Sequence, residues 1–175
     1  GGLTNRITFI SKDVQRLTKL QNLYLANSPI TYDNIATDWE DATSEYAKQY
    51  ADEELSWSNL KDLTDVELYN CPKLTQIPEF VYDLPELQLL NVACNKGISA
   101  DQLTADWKRL ADDEDTGPKV QILYLGYNNL EKFPESESLR KMVKLGLLDC
   151  VHNNVNHLEA FGTDVKLSDL MLSYN

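Results

Sequence analysis

The segment Val120-Gln121-Ile122-Leu123-Tyr124-Leu125-Gly126-Tyr127-Asn128 carries apolar residues at its first, fourth and sixth places and an asparagine at its ninth. The same spelling returns as Leu20-Leu23-Leu25-Ser28, Leu63-Val66-Leu68-Cys71, Leu87-Leu90-Val92-Asn95, Leu145-Leu148-Cys150-Asn153 and Leu167-Leu170-Leu172-Asn175. A pattern repeated in one register builds a stacked solenoid, in which each unit contacts only its neighbours, rather than a globule around a single centre.

Within one copy the fourth and sixth places alternate with the fifth, the period of a short strand with one buried face. At the ninth place the chain turns away. A side chain that both donates and accepts can there satisfy backbone groups that the bend leaves unpaired. Stacking predicts an inward ladder of Asn5, Ser28, Cys71, Asn95, Asn128, Asn153 and Asn175, with Ser28 and Cys71 as the weaker rungs. Asn5 is included because Asn5-Arg6-Ile7 reads as the tail of an earlier copy. Apolar residues continue at looser spacing after each ninth place: Ile7, Ile10, Val14 and Leu17; Leu74, Ile77, Phe80 and Leu84; Leu130 and Phe133; Val155, Leu158 and Phe161. These return along the other side of the coil and fill the core from behind. Pro78 and Pro134 lie in the returns, where a fixed φ and a missing N–H suit an irregular turn.

The six segments match the consensus L-x-x-L-x-L-x-x-N/C-x-L, and from about residue 3 to 175 the chain resembles a leucine-rich repeat protein. That resemblance implies an α/β fold: a right-handed superhelix with a curved parallel sheet on its concave face and short helices and loops on its convex face. The phrases Leu25-Ala26-Asn27-Ser28-Pro29-Ile30, Leu148-Asp149-Cys150-Val151-His152-Asn153-Asn154 and Ala160-Phe161-Gly162 resemble most the secreted or surface-anchored repeat proteins of Gram-negative gut bacteria, with an internalin-like architecture. This narrower likeness implies a place at the cell surface or outside the cell, lipid-anchored through an upstream segment, with the cytoplasm as the alternative.

Successive first places are separated by 43, 24, 33, 25 and 22 residues, so two steps are too long for a plain repeat. The insertions, about 31–59 and 99–116, open on similar words, Ile30-Thr31-Tyr32-Asp33 and Ile98-Ser99-Ala100-Asp101, and reach Thr37-Asp38-Trp39 and Ala105-Asp106-Trp107. Helical spacing of Ile35, Trp39, Ala42, Tyr46 and Tyr50, and of Leu103, Trp107 and Leu110, predicts convex-side amphipathic helices over about 32–52 and 100–112. Ser99-x-x-Gln102 fits a capping box. Trp39 and Trp107 are expected to anchor these helices to the core, with the acidic residues on outer faces and ends. The run Asp112-Asp113-Glu114-Asp115-Thr116-Gly117 lacks the alternation and terminal Glu of a calcium loop and reads as a solvated turn.

The 175 residues form a single repeat domain, 1–175, that reads as a piece of a longer array. A net charge of −12 argues against a nucleic-acid backbone or an anionic membrane surface as partner, and no stretch is apolar enough for membrane insertion. Cys71, Cys94 and Cys150 fit no disulfide framework and read as reduced thiols, with a Cys71–Cys94 bridge as the alternative. His152 and His157 stand outside every metal, nucleophile or phosphate motif. The expectation is no metal, no cofactor and no enzyme.

The function is then expected on the outward side chains. The third column reads Asn22, Asp65, Leu89, Ile122, Leu147, Asp169; the fifth Tyr24, Glu67, Asn91, Tyr124, Asp149, Met171; the eighth Asn27, Asn70, Cys94, Tyr127, His152, Tyr174. Leu89, Ile122 and Leu147 either meet solvent or tuck under the entering loops. Aromatic and aliphatic anchors within a polar rim suit a protein hot spot. The contact residues expected are Tyr24, Tyr69, Asn91, Ile122, Tyr124, Tyr127, Asp149, His152 and Tyr174. A protein partner is the main reading. A glycan, or a structural spacer role in a larger surface protein, is the alternative.

Overall fold

The alternation around each fourth place becomes a three-residue strand. The computed structural model describes residues 5–37, 54–114 and 116–175. Its strands are β1 (Ile10–Ser11), β2 (Asn22–Tyr24), β3 (Ile35–Thr37), β4 (Asp65–Glu67), β5 (Leu89–Asn91), β6 (Ile122–Tyr124), β7 (Leu147–Asp149) and β8 (Asp169–Met171). Strands β2, β4, β5, β6, β7 and β8 form one parallel sheet in that order. Their register pairs third with third, fourth with fourth and fifth with fifth place throughout, for example Leu90 with Leu123 and Tyr124 with Asp149. Parallel neighbours require a crossover, and each return segment on the back supplies it.

Backbone bonding runs beyond the strands. The sixth-place N–H donates to the fifth-place carbonyl of the next repeat, as in Leu125 N to Asp149 O at 2.7 Å. The eighth-place N–H donates to the next seventh-place carbonyl, as in Tyr127 N to Val151 O at 2.8 Å. To aim that second N–H the chain adopts left-handed backbone at every eighth place. Asn27, Asn70, Cys94, Tyr127, His152 and Tyr174 have φ of 59°, 52°, 63°, 58°, 51° and 61°. Asparagine tolerates this region, whereas Cys, Tyr and His occupy it at a cost that the inter-repeat bonds offset. Cys94→Val, which puts a β-branched residue at φ 63°, should therefore lower stability by about 1–3 kcal/mol, while Cys94→Asn should cost nothing. Urea unfolding of the two variants checks this.

From Asn95 onward the ninth-place amides donate alike, to the sixth-place carbonyls of their own and the preceding repeat. Asn95 Nδ2 donates to Leu68 O and Val92 O, both at 2.9 Å, and its Oδ1 accepts the Cys71 N–H at 2.7 Å. Asn128 donates to Val92 O and Leu125 O and accepts from Asn95 N at 2.6 Å. Asn153 and Asn175 make the same carbonyl pair, but their Oδ1 atoms accept from Leu130 N and Val155 N, two places later in the preceding repeat. Cys71 copies only the donor half, its thiol reaching Leu25 O at 3.2 Å, and the Ser28 hydroxyl makes a 3.5 Å bond to Ala26 O. Asn5 instead accepts its own Ile7 N–H at 3.0 Å, a local turn away from the six-stranded sheet.

The first, fourth and sixth places of the middle repeats are fully buried, joined from behind by Leu74, Ile77, Phe80, Leu84, Leu130 and Phe133. Burial fades towards both ends, where a return segment has a neighbour on one side only, and Ile7, Leu17, Leu158 and Phe161 are exposed. Phe161 still packs edge-on against Phe133, with ring centroids 5.7 Å apart.

The two insertions differ. Helix α1 (Ala100–Asp112) buries Leu103, Trp107 and Leu110, and Ser99 Oγ accepts the Gln102 N–H at 3.2 Å. Gln102 does not complete the box: its side chain reaches forward to Asp106 Oδ1 at 2.8 Å. Asp106 is itself buried, against the expectation that the acids of this helix face outward, and its Oδ2 accepts the Ile77 N–H at 2.7 Å. At the first insertion the helix expected from residue 32 gives way to a 3-10 turn, Tyr32–Asn34, and to β3, which pairs with β1. The remainder of that expected helix, with Trp39, lies outside the described residues. A short helix α2 (Ser136–Lys141) packs beside α1.

Candidate functional site

Along the sheet each fourth-place side chain points into the core, and the third and fifth places face the other way. Leu89, Ile122 and Leu147 are half-buried, so this aliphatic column is neither free in solvent nor part of the core. In the fifth column Tyr24 is 60% exposed, while Asn91, Tyr124 and Asp149 are half-buried. Asn91 and Asp149 also serve the backbone. Asn91 Oδ1 accepts the Ala93 N–H at 3.0 Å, and Asp149 Oδ1 accepts the Val151 N–H at 2.9 Å. A fifth-place oxygen thus ties down the seventh-place N–H and fixes its own orientation.

The eighth column is continuous. Asn70 Nδ2 donates to Asn27 Oδ1 at 2.7 Å. Farther along, Tyr127, His152 and Tyr174 stack face to face, with centroids 4.2 Å and 4.3 Å apart and planes inclined by 19° and 11°. The left-handed backbone aims all three rings along one line, and the strand spacing of about 4.8 Å brings them into contact. Between the amide pair and the rings lies Cys94. Its side chain abuts the Tyr69 hydroxyl and raises the Tyr69 pKa above its ordinary value. Cys94, Tyr127, Asn70, Pro72, Lys96 and Gly97 line an open recess of about 360 Å³.

The residues expected to make contacts therefore fall into groups. Tyr127, His152 and Tyr174 form the ring stack; Tyr124 and Asp149 are direct cross-strand partners, with Ile122 one column away. Tyr69 adjoins Cys94 next to that recess without lining it, and Tyr24 stands apart on β2. Asn27, Asn70 and Cys94 belong to the same edge, although their residue types alone gave no reason to select them. The signal was positional: each stands one place before the inward polar residue.

All three cysteines are free; Cys71 and Cys150 are buried, and burial pushes both thiols up. Among the described residues no group of His, Cys, Asp and Glu could hold a metal ion, and no helix is long and apolar enough to cross a membrane. The back of the coil carries a polar clasp instead. Arg109 on α1 makes a two-pronged ion pair with Glu79 and lies 3.9 Å over the Tyr82 ring, while the Tyr32 hydroxyl donates to Glu79 at 3.3 Å. The arginine holds the Glu79 carboxyl below its ordinary pKa.

No protein-family model matches the chain, and no curated protein sequence does. Solved structures do. A leucine-rich repeat protein from Bacteroides thetaiotaomicron is 78% identical over 96% of this chain, with a TM-score of 0.89. Another from Bacteroides eggerthii is 57% identical over 93%, with a TM-score of 0.86. This chain spans 20% and 27% of the length of those two proteins. An internalin from Listeria monocytogenes shares the fold at 22% identity and a TM-score of 0.58, over 94% of this chain and 38% of that one. In-register parallel strands, the amide ladder and these likenesses lead to one conclusion: the chain belongs to the leucine-rich repeat proteins.

Proposed function

We propose that this chain is a non-catalytic recognition module that binds a protein partner through its concave face. The observation that carries the reading is the exposure of large aromatic side chains on a backbone held rigid by hydrogen bonds. Tyr127 and Tyr174 are 45% and 77% exposed near Tyr124, Asp149 and His152, and Tyr24, 60% exposed, stands three strand steps from Tyr124, beside Glu67. Rigid tyrosines lose little conformational entropy on docking and supply both apolar area and a hydroxyl, the profile of an interface anchor.

A sugar platform needs an open ring face against which C–H groups can lie. In the eighth column His152 is stacked on both faces, and Tyr127 and Tyr174 each give one face to it, which leaves the imidazole edge with its nitrogens to the outside. Edges of this kind favour hydrogen bonds to a polypeptide. A site at the cell surface or outside the cell is part of the same proposal, and labelling of intact cells with a membrane-impermeant reagent tests it.

Tyr124→Ala combined with Tyr127→Ala should weaken partner binding by at least about a hundredfold, the loss of two hot-spot residues. The far-UV spectrum and the cooperative unfolding transition should persist. Retention of host or neighbouring-cell proteins on the immobilised chain and its double variant, with a glycan array in parallel, provides the measurement. Equal retention by both would overturn the concave-face reading.

A further inference from the structure

The six nine-residue segments hold no lysine or arginine, although the chain has 16, and they hold four carboxylates, Asp65, Glu67, Asp149 and Asp169. The ion pairs, such as Lys108–Glu135 and Arg109–Glu79, lie off these segments, and none of the four carboxylates is paired with a cation among the described residues. Two of them stand in the fifth column, each directly opposite a tyrosine on the neighbouring strand: Glu67 beside Tyr24 and Asp149 beside Tyr124. Gly126 keeps the second carboxylate open. A Cβ there would stand 3.2 Å and 3.3 Å from the two Asp149 oxygens.

From this charge pattern we propose that the concave face takes up a basic polypeptide segment, each tyrosine–carboxylate pair receiving one Lys or Arg side chain of the partner. The proposal rests on the concave-face reading above and names the chemistry of its partner. A cation gains from a carboxylate at one side and from a ring face at the other, and a guanidinium can use both at once. The two pairs are three strand steps apart, about 14 Å at the usual strand spacing. An extended segment rising about 3.3 Å per residue spans that distance with basic residues four places apart. With no cation of its own on these strands, the face repels an acidic segment and steers a basic one.

The test is a calorimetric titration of the full chain with a 12-residue Gly/Ser/Thr peptide carrying two arginines four residues apart. The same peptide with two glutamates, and one with the arginines two apart, are the comparisons. The four-spaced arginine peptide should bind best and lose affinity as salt rises, and the glutamate peptide should not bind. Glu67→Gln with Asp149→Asn should weaken arginine-peptide binding at least about tenfold. The Asp149→Asn side chain keeps an amide oxygen for the Val151 N–H, so the double variant should unfold at the same urea concentration as the wild type. Absence of arginine-peptide binding, equal binding of the glutamate peptide, or an unaffected neutral variant would each overturn the assignment. If the tyrosine double variant still loses its protein partner in that case, only the basic chemistry falls; if it binds unchanged, the face falls too.

Discussion

Replacing Asn128 with alanine should destabilise the chain by about 3 kcal/mol, the upper end of the range for a buried donor or acceptor left without its partner. The residue is buried, and its amide serves three backbone groups: the Asn95 N–H, Val92 O and Leu125 O. Alanine leaves a dry Asn95 N–H with nothing to accept it, and water cannot replace the amide without opening the stack. Asn128→Asp should do at least as badly at neutral pH, because a carboxylate cannot donate to either carbonyl and is itself desolvated. Asn175 makes the equivalent pair of carbonyl bonds and accepts from Val155 N, but it is exposed, so Asn175→Ala should cost only about 1 kcal/mol. Urea unfolding of the three variants measures the gradient. A loss of less than about 1 kcal/mol for Asn128→Ala would show that the ladder follows the stacking rather than holding it.

The second large effect is expected at Asp106. Asp106→Ala removes the acceptor for the buried Ile77 N–H and the partner of Gln102, which should cost about 2–3 kcal/mol. It should also loosen α1 from the preceding return segment, visible as faster amide exchange at Ile77. Burial raises the Asp106 carboxyl pKa above its ordinary value, the bonds from Ile77 and Gln102 lowering it only in part. The folded chain therefore holds this proton more tightly than the unfolded chain does. The contribution of this group is fully present below the unfolded value and declines as pH rises through the folded one. Asp106→Asn carries no such proton, so over the range in which pH rises above the ordinary carboxylate value of 3.8 the wild type should lose ground relative to that variant. A constant difference across that range would rule out the ionisation.

The register of the sheet was legible because burial punishes a one-place slip: Leu90, Leu123 and Leu148 cannot leave the core together. Helix α1 was legible for a similar reason, since Leu103, Trp107 and Leu110 share a face and Ser99 marks the start. Asp106 was not. An aspartate on an amphipathic helix normally meets water, and only a backbone N–H from a distant turn makes it an inward residue. At the first insertion, Ile35 lies at helical spacing from later apolar residues, yet pairing with β1 draws residues 35–37 into a strand. Tertiary context overrode the local period there. Of the candidate face, the columns could be read from strand spacing. The ring stack could not, because it depends on a left-handed turn that Tyr, His and Cys do not favour on their own.

That turn has a consequence for how such a surface changes over generations. Positive φ elsewhere tends to demand glycine, which has no side chain to show. Here no glycine occupies it, and amide, thiol, phenol and imidazole groups share one main-chain geometry. The rim of the coil thus behaves as a row of equivalent sockets. New chemical heads can be plugged in one at a time, and the pitch beneath them stays as it was.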